Sequence, residues 1–125
     1  MAAYDDLMAF QRETEALSQV AGRLGWDQET MMPRDAAPQR GEEMAAMEGV
    51  LHARRTDPRI ADWLAEVETS GEVEVAQVRQ IRRSYDRASK VPAKLAAEIA
   101  RVTSEAQGAW AAARAEDDFA AFAPV

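Results

Sequence analysis

Apolar residues recur along this chain in steps of three and four, the period of a helix with one buried stripe. Tyr4, Leu7, Phe10, Leu17, Val20, Ala21 and Leu24 follow that step, and the pattern predicts a first helix stopped by Gly25. A second helix is predicted from Asp35, whose carboxylate can cap it. Pro38 sits in its first turn, where a missing N–H is harmless. Its stripe is Met44, Met47, Val50 and Leu51. Asp57-Pro58 pairs a capping residue with proline at the first helical position, a start signal for a third helix. That helix carries Ile60, Trp63, Leu64 and Val67 and is predicted to end near Ser70-Gly71.

Val78, Ile81, Tyr85 and Ala88 share one face of a fourth helix. Val91-Pro92 separates it from a fifth, because the residue before a proline is pushed out of helical geometry. Leu95, Ile99, Val102, Ala106 and Trp110 form the stripe of the fifth helix, which reaches about Glu116, and Lys94–Glu98 and Arg101–Glu105 are expected four-apart pairs. Asp117-Asp118 then reads as another cap, with Phe119 and Phe122 opening a further stripe before Pro124-Val125. No run alternates with period two and no internal repeat is visible. The expectation is all-α: about five helices in an antiparallel array, one module over residues 1–125, cut before a further helix.

Composition sharpens this picture. Of the 125 residues 27 are alanine, so the 47% hydrophobic content brings strong helix propensity and a modest core. The net charge of -7 repels phosphate backbones, which argues against nucleic acid as a partner. With no cysteine, disulfides and thiolate metal sites are excluded. The start, MAAYDDLMAF, is acidic where a secretory leader is basic, and no apolar run approaches the length of a membrane span. The expected setting is cytoplasmic, without a membrane partner.

Candidate chemistry is sparse. The single histidine, His52, flanks the second helix's stripe and is expected to be half-exposed and hydrogen-bonded; one imidazole cannot furnish the histidine pair of a hydrolytic zinc site. Neighbouring carboxylates (Asp5-Asp6, Glu42-Glu43, Asp117-Asp118) point about 100° apart on a helix and do not converge on one ion. Arg79, Arg82, Arg83, Arg87 and Lys90 lie opposite the apolar face of the fourth helix, with Asp86 among them. They form a solvated face or a carboxylate-binding one, and Arg79, Arg82, Arg83 and Arg87 are the candidate substrate-binding residues. Met31, Met32, Met44 and Met47 are expected to fill core gaps, and Trp26, Trp63 and Trp110 to anchor the core.

The stretch LGWDQETMMPRDAAPQRGEE, Leu24 to Glu43, holds neither a nucleophile–base pair nor a metal-ligand set. It reads as a fastening between two helices. Gly25 would end the first in the left-handed conformation, Trp26 would fold into the core, Asp27 or Thr30 would satisfy free backbone N–H groups, and Pro33 would stiffen the turn.

LGWDQETMMP and a second block, IRRSYDRASKVPAKLAAEIARVTSEAQGAWAAARAEDDFAAFAP from Ile81 to Pro124, resemble the thermostable, Taq-type carboxypeptidases, a family of zinc metallopeptidases. Met31 stands where that family often has an aromatic, and Asp35-Ala36 where small glycines are common. The resemblance implies an all-helical, clefted zinc enzyme that removes single residues from peptide C-termini. It implies a zinc site built on a His-Glu-x-x-His helix plus a further glutamate, a combination for which this chain has no matching position. No catalytic or metal residue therefore transfers. The expectation is the N-terminal helical part of such an enzyme: cleft wall and scaffold, inactive alone, partnered by the catalytic portion, with peptide as substrate and a homo-oligomeric assembly. A free-standing helical interaction module is the alternative.

Overall fold

A computed structural model describes residues 2–125. Its elements are α1 (Ala2–Thr30), a 3₁₀ turn (Arg34–Ala36), α2 (Ala37–Arg55), α3 (Pro58–Glu66), α4 (Glu72–Ala88), α5 (Ala93–Ala115) and the short α6 (Phe119–Phe122), with no strand among the described residues. The architecture is all-α. None of these helices is long and apolar enough to cross a membrane.

The apolar core sits at one end, where α1, α3 and α4 meet. Leu7, Phe10, Ile60, Leu64 and Val78 are buried together, and Tyr4, Trp63, Val67, Ile81 and Tyr85 pack around them. Phe10 and Trp63 are rings tilted by 55° with centroids 5.5 Å apart, within the range of favourable aromatic pairs. Leu7 and Ile60 are fully enclosed. The sequence of α3 explains its place here. Asp57 accepts the Arg59 N–H as N-cap, Pro58 follows at the first helical position, and Ile60 and Leu64 fall one turn apart on the buried side. The helix stops at Glu66, four residues before the expected Ser70-Gly71, because Val67 adopts an extended backbone.

Arg54 carries α2 to this core. Its guanidinium lies 4.0 Å above the Phe10 ring and donates to Thr14 Oγ1 (2.9 Å) and the Phe10 carbonyl (3.0 Å). At the other end of α2, Arg40 reaches Leu24 and Asp27. Thr14 opposite Arg54 and Asp27 opposite Arg40 make α1 and α2 antiparallel.

The most extensive packing joins α2 and α5, and it uses small residues. Gly41, buried on α2, makes room for the Glu105 and Arg101 side chains of α5: a Cβ there would lie 3.1 Å from Glu105 Cγ. Ala96 and Ser104 are the buried residues on the facing side of α5. Leu95, Ile99, Val102 and Trp110 consequently point outward and stay 38–52% exposed. The expected core stripe of α5 is thus its open face, and Trp110 is no core anchor. The helix has two faces able to bury, and the small one allows the closer approach.

Several local expectations need correcting. Gly25 does not stop α1; no glycine among the described residues has positive φ, and the helix runs on to Thr30. A mid-helix glycine costs about 1 kcal/mol relative to alanine. The tertiary ties that Asp27 and Gln28 make from the following turn offset that cost. Termination comes instead from Pro33, which disfavours helical geometry at Met32. Trp26 is 64% exposed and does not enter the core. Asp35 makes no cap, since α2 begins behind a 3₁₀ turn with Ala36 at its N-cap and Pro38 in its first turn. Met31 is exposed, with Met32, Met44 and Met47 half-buried. Lys94 forms no pair with Glu98, which is held by Arg101.

Candidate functional site

Arg79, Arg82, Arg83 and Arg87 form an exposed cationic face on α4, whereas Lys90, expected on the same helix, lies beyond its end at Ala88, in the turn before α5. Arg82 is tied inward, its Nη2 donating to the Leu64 carbonyl at 2.9 Å, so it clips α4 to the end of α3. Arg79, Arg83 and Arg87 make no ion pair among the described residues, and Asp86 neutralises none of their neighbours by direct contact. These three guanidiniums present planar donor forks to solvent, suited to bidentate binding of a carboxylate.

Arg40 organises the junction of α1 and α2. Nη1 donates to the Leu24 carbonyl and Nη2 to Asp27 Oδ2, each at 2.6 Å, while Nε faces the Glu43 carboxylate at 3.3 Å without hydrogen-bond alignment. The side chain is only 11% exposed. The Asp27 hydrogen bond is the main influence raising the guanidinium's already high pKa. One turn further, Gln28 Nε2 donates to the Ser104 carbonyl (2.6 Å) and accepts from Ser104 Oγ (3.0 Å), fixing the end of α1 to α5. Thr30 Oγ1 donates to the Trp26 carbonyl, a bond back into its own helix. The four residues singled out in the sequence therefore divide. Asp27 makes the tertiary tie, Thr30 and Pro33 shape the helix end, and Trp26 stands outside. Arg40, Gln28 and Ser104 were not singled out; the thirteen-residue gap from Asp27 to Arg40 gives no helical-spacing signal for their pairing.

A groove of about 540 Å³ opens beside this junction. Met44, Glu48, His52 and Arg55 of α2 line it together with Gln28 and Glu29 of α1 and Ile99, Thr103 and Gln107 of α5. His52 is buried, deeper than the half-exposure expected of it, and its Nε2 lies 2.6 Å from the Val91 carbonyl. A carbonyl oxygen only accepts, so the ring proton sits on Nε2 and the imidazole locks α2 to the turn between α4 and α5. Glu48 and Arg55 pair along α2 on the groove's wall at 3.3 Å.

Zinc, the metal implied by the family resemblance, does not fit these residues. The one imidazole gives its Nε2 to Val91, and among the described residues no three histidine, cysteine or carboxylate side chains cluster as a metal site would require. What the arrangement offers is a set of helices pinned by polar ties, a cationic helix face and an open apolar one.

That fold accompanies a family match over nearly the whole chain. The sequence profile described as Carboxypeptidase Taq (M32) metallopeptidase matches residues 6–125. The chain belongs to this metallopeptidase family. It is 43% identical over 129 residues to thermostable carboxypeptidase 1 of Thermus thermophilus, a match covering 98% of this chain and 25% of the relative. Thermostable carboxypeptidase 1 of Pyrococcus furiosus is 29% identical over 121 residues, covering 94% and 24% respectively. The chain thus spans about a quarter of the length of these curated relatives.

Proposed function

We propose that this chain is the N-terminal helical part of a zinc-dependent carboxypeptidase that releases single residues from peptide C-termini, and that it supplies scaffold and cleft wall while the catalytic portion supplies the metal and the reacting groups. The observation that carries this reading is a 43% identity that runs through 98% of this chain yet accounts for 25% of a carboxypeptidase. The site chemistry agrees with it. The one imidazole is spent on a backbone carbonyl, and the polar side chains that are buried tie helices together.

Within the intact enzyme, the exposed forks of Arg79, Arg83 and Arg87, with Arg82 behind them, form the face turned toward the peptide. A carboxypeptidase must recognise a free terminal carboxylate, and guanidinium is the side chain whose geometry matches it.

The test is to splice residues 1–125 in place of the matched quarter of the Thermus thermophilus enzyme. The spliced protein is expected to release C-terminal residues from peptides and to lose that activity when zinc is chelated, whereas the 125-residue chain alone releases none. A folded but inactive splice overturns the reading. So does saturable zinc binding with peptide trimming by the 125-residue chain alone.

A further inference from the structure

The open face of α5 has a specific occupant. Leu95, Ile99, Val102 and Trp110 lie along one side of this 23-residue helix, beside the alanine and serine side that packs on α2, with Ile99 at the lip of the groove shared with α2. A helix apolar on both sides belongs between two layers, since each stripe contributes only when covered. The far end of the stripe already shows how that cover is built. The chain leaves α5 through Asp117 in the left-handed conformation (φ 53°), with Asp118 N–H bonded to the Ala113 carbonyl and Asp117 N–H to that of Arg114. This reversal lays α6 back on α5, where Ala113 becomes buried. A cavity of about 280 Å³ remains among Trp110, Ala113, Phe119 and Phe122. The stripe is therefore covered by helix at one end and bare along the rest.

We infer that the bare length, from Leu95 to Trp110, is the docking face for an apolar-sided helix from the three-quarters of the carboxypeptidase that lies outside this chain. The inference rests on the proposed function and deepens it by naming the joining surface. Two observations select that occupant over others. About 75% of the Thermus relative's length has no counterpart here and must meet this module somewhere. The bare face is also continuous with the α5–α6 contact, so a helix docked there extends packing that has begun. The polar margins of the stripe suit a helix seated in a groove. Thr103 and Gln107 border one side, and Glu98, held by Arg101, borders the other.

The absence of cysteine from the chain provides a clean test. Ile99→Cys and Val102→Cys are each made singly in the 125-residue chain and in the spliced carboxypeptidase, with Glu68→Cys, in the exposed link between α3 and α4, as a control. Labelling by a thiol reagent is followed at that peptide by mass spectrometry. Both stripe thiols are expected to react at the rate of a free thiol in the short chain and at least about 100-fold slower in the splice, where labelling must wait for local opening. The control labels fast in both. Equal rates at Ile99→Cys and Val102→Cys in an active splice overturn the inference while leaving the proposed function standing; a folded but inactive splice removes the function itself. Protection that arises in the short chain alone and disappears on dilution assigns the face to a second copy and also overturns it.

Discussion

Replacing Arg40 by methionine isolates the clamp between α1 and α2. Methionine keeps much of the apolar stem and removes the guanidinium, so packing changes little and the polar ties are lost together. Two charge-assisted bonds disappear, to the Leu24 carbonyl and to Asp27. Bonds of this kind are each worth roughly 1.5–3 kcal/mol net, which sets a ceiling of about 3–6 kcal/mol. Three features lower that figure. The wild-type guanidinium is almost fully desolvated at 11% exposure, with its Nε lacking an aligned acceptor. Asp27, at 40% exposure, regains water when its partner leaves. Leu24 O remains available to the N–H four residues on within α1. A net loss of about 2 kcal/mol remains, or a melting temperature lowered by about 8 °C for a domain of this size.

Urea unfolding followed by far-ultraviolet circular dichroism measures the loss directly, and an unchanged slope against urea keeps the comparison two-state. A double-mutant cycle with Asp27→Asn apportions it, with an expected coupling of about 1 kcal/mol. Arg40→Lys is expected to lose more than half of the Arg40→Met effect, since one ammonium cannot span both acceptors in the planar geometry of the fork. A loss below about 0.5 kcal/mol in Arg40→Met, the range of an ordinary surface change, refutes the clamp. Zero coupling with Asp27 refutes the ion pair as its source.

Two further substitutions probe helix ends. Hydrogen bonds from the Arg59 side chain and backbone N–H hold the Asp57 carboxyl at about 2, below its ordinary 3.8. Its stabilisation is therefore fully present above the unfolded value and drains away as pH falls from there through about 2. Asp57→Ala should cost about 1 kcal/mol at neutral pH as a lost N-cap and flatten the acid limb of the urea midpoint against pH; an equally steep limb in the variant rejects the capping role. Asp117→Gly should raise stability by about 0.5–1 kcal/mol, because glycine adopts the left-handed conformation without the steric cost of a β-carbon. The exposed Arg114–Asp117 pair contributes little to set against this, and an unchanged or lower melting temperature contradicts the strain argument.

Helix positions were legible because they depend on neighbours in sequence. Asp57-Pro58 and Val91-Pro92 act through backbone dihedrals within one or two residues, and the structure breaks or starts helices there. Burial was legible only where a helix has one apolar stripe, as in α3, whose Ile60 and Leu64 are both enclosed. On α5 the sequence offers two faces, and periodicity ranks them by side-chain size. Packing instead buried Ala96 and Ser104 against α2, a choice that depends on the partner helix and leaves no trace in the periodicity of α5. Trp26 fails for a similar reason. Tryptophan is usually buried, but the turn after Gly25 is oriented by Arg40 and Ser104, which hold Asp27 and Gln28 and leave Trp26 outside. The arginines of α4 were legible as a face, whereas the bond from Arg82 to Leu64 depends on how α3 packs and leaves no periodic trace.

The distribution of these ties explains why so polar a stretch as Leu24–Glu43 resembles a signature. Hydrophobic stabilisation scales with buried apolar area, and the apolar cluster of this chain lies where α1, α3 and α4 meet, away from the Leu24–Glu43 stretch. Side-chain-to-backbone bonds therefore set the helix positions here: Arg40 to Leu24, Gln28 to Ser104, His52 to Val91 and Arg54 to Phe10. Each joins a long polar side chain to a carbonyl on another segment, so each depends on residue type at one position and on backbone position at the other. Substituting any one of the four donors is expected to free a helix end, read as a lowered melting temperature. A module held this way takes its helix positions from polar fasteners and leaves the apolar stripe on α5 outside them.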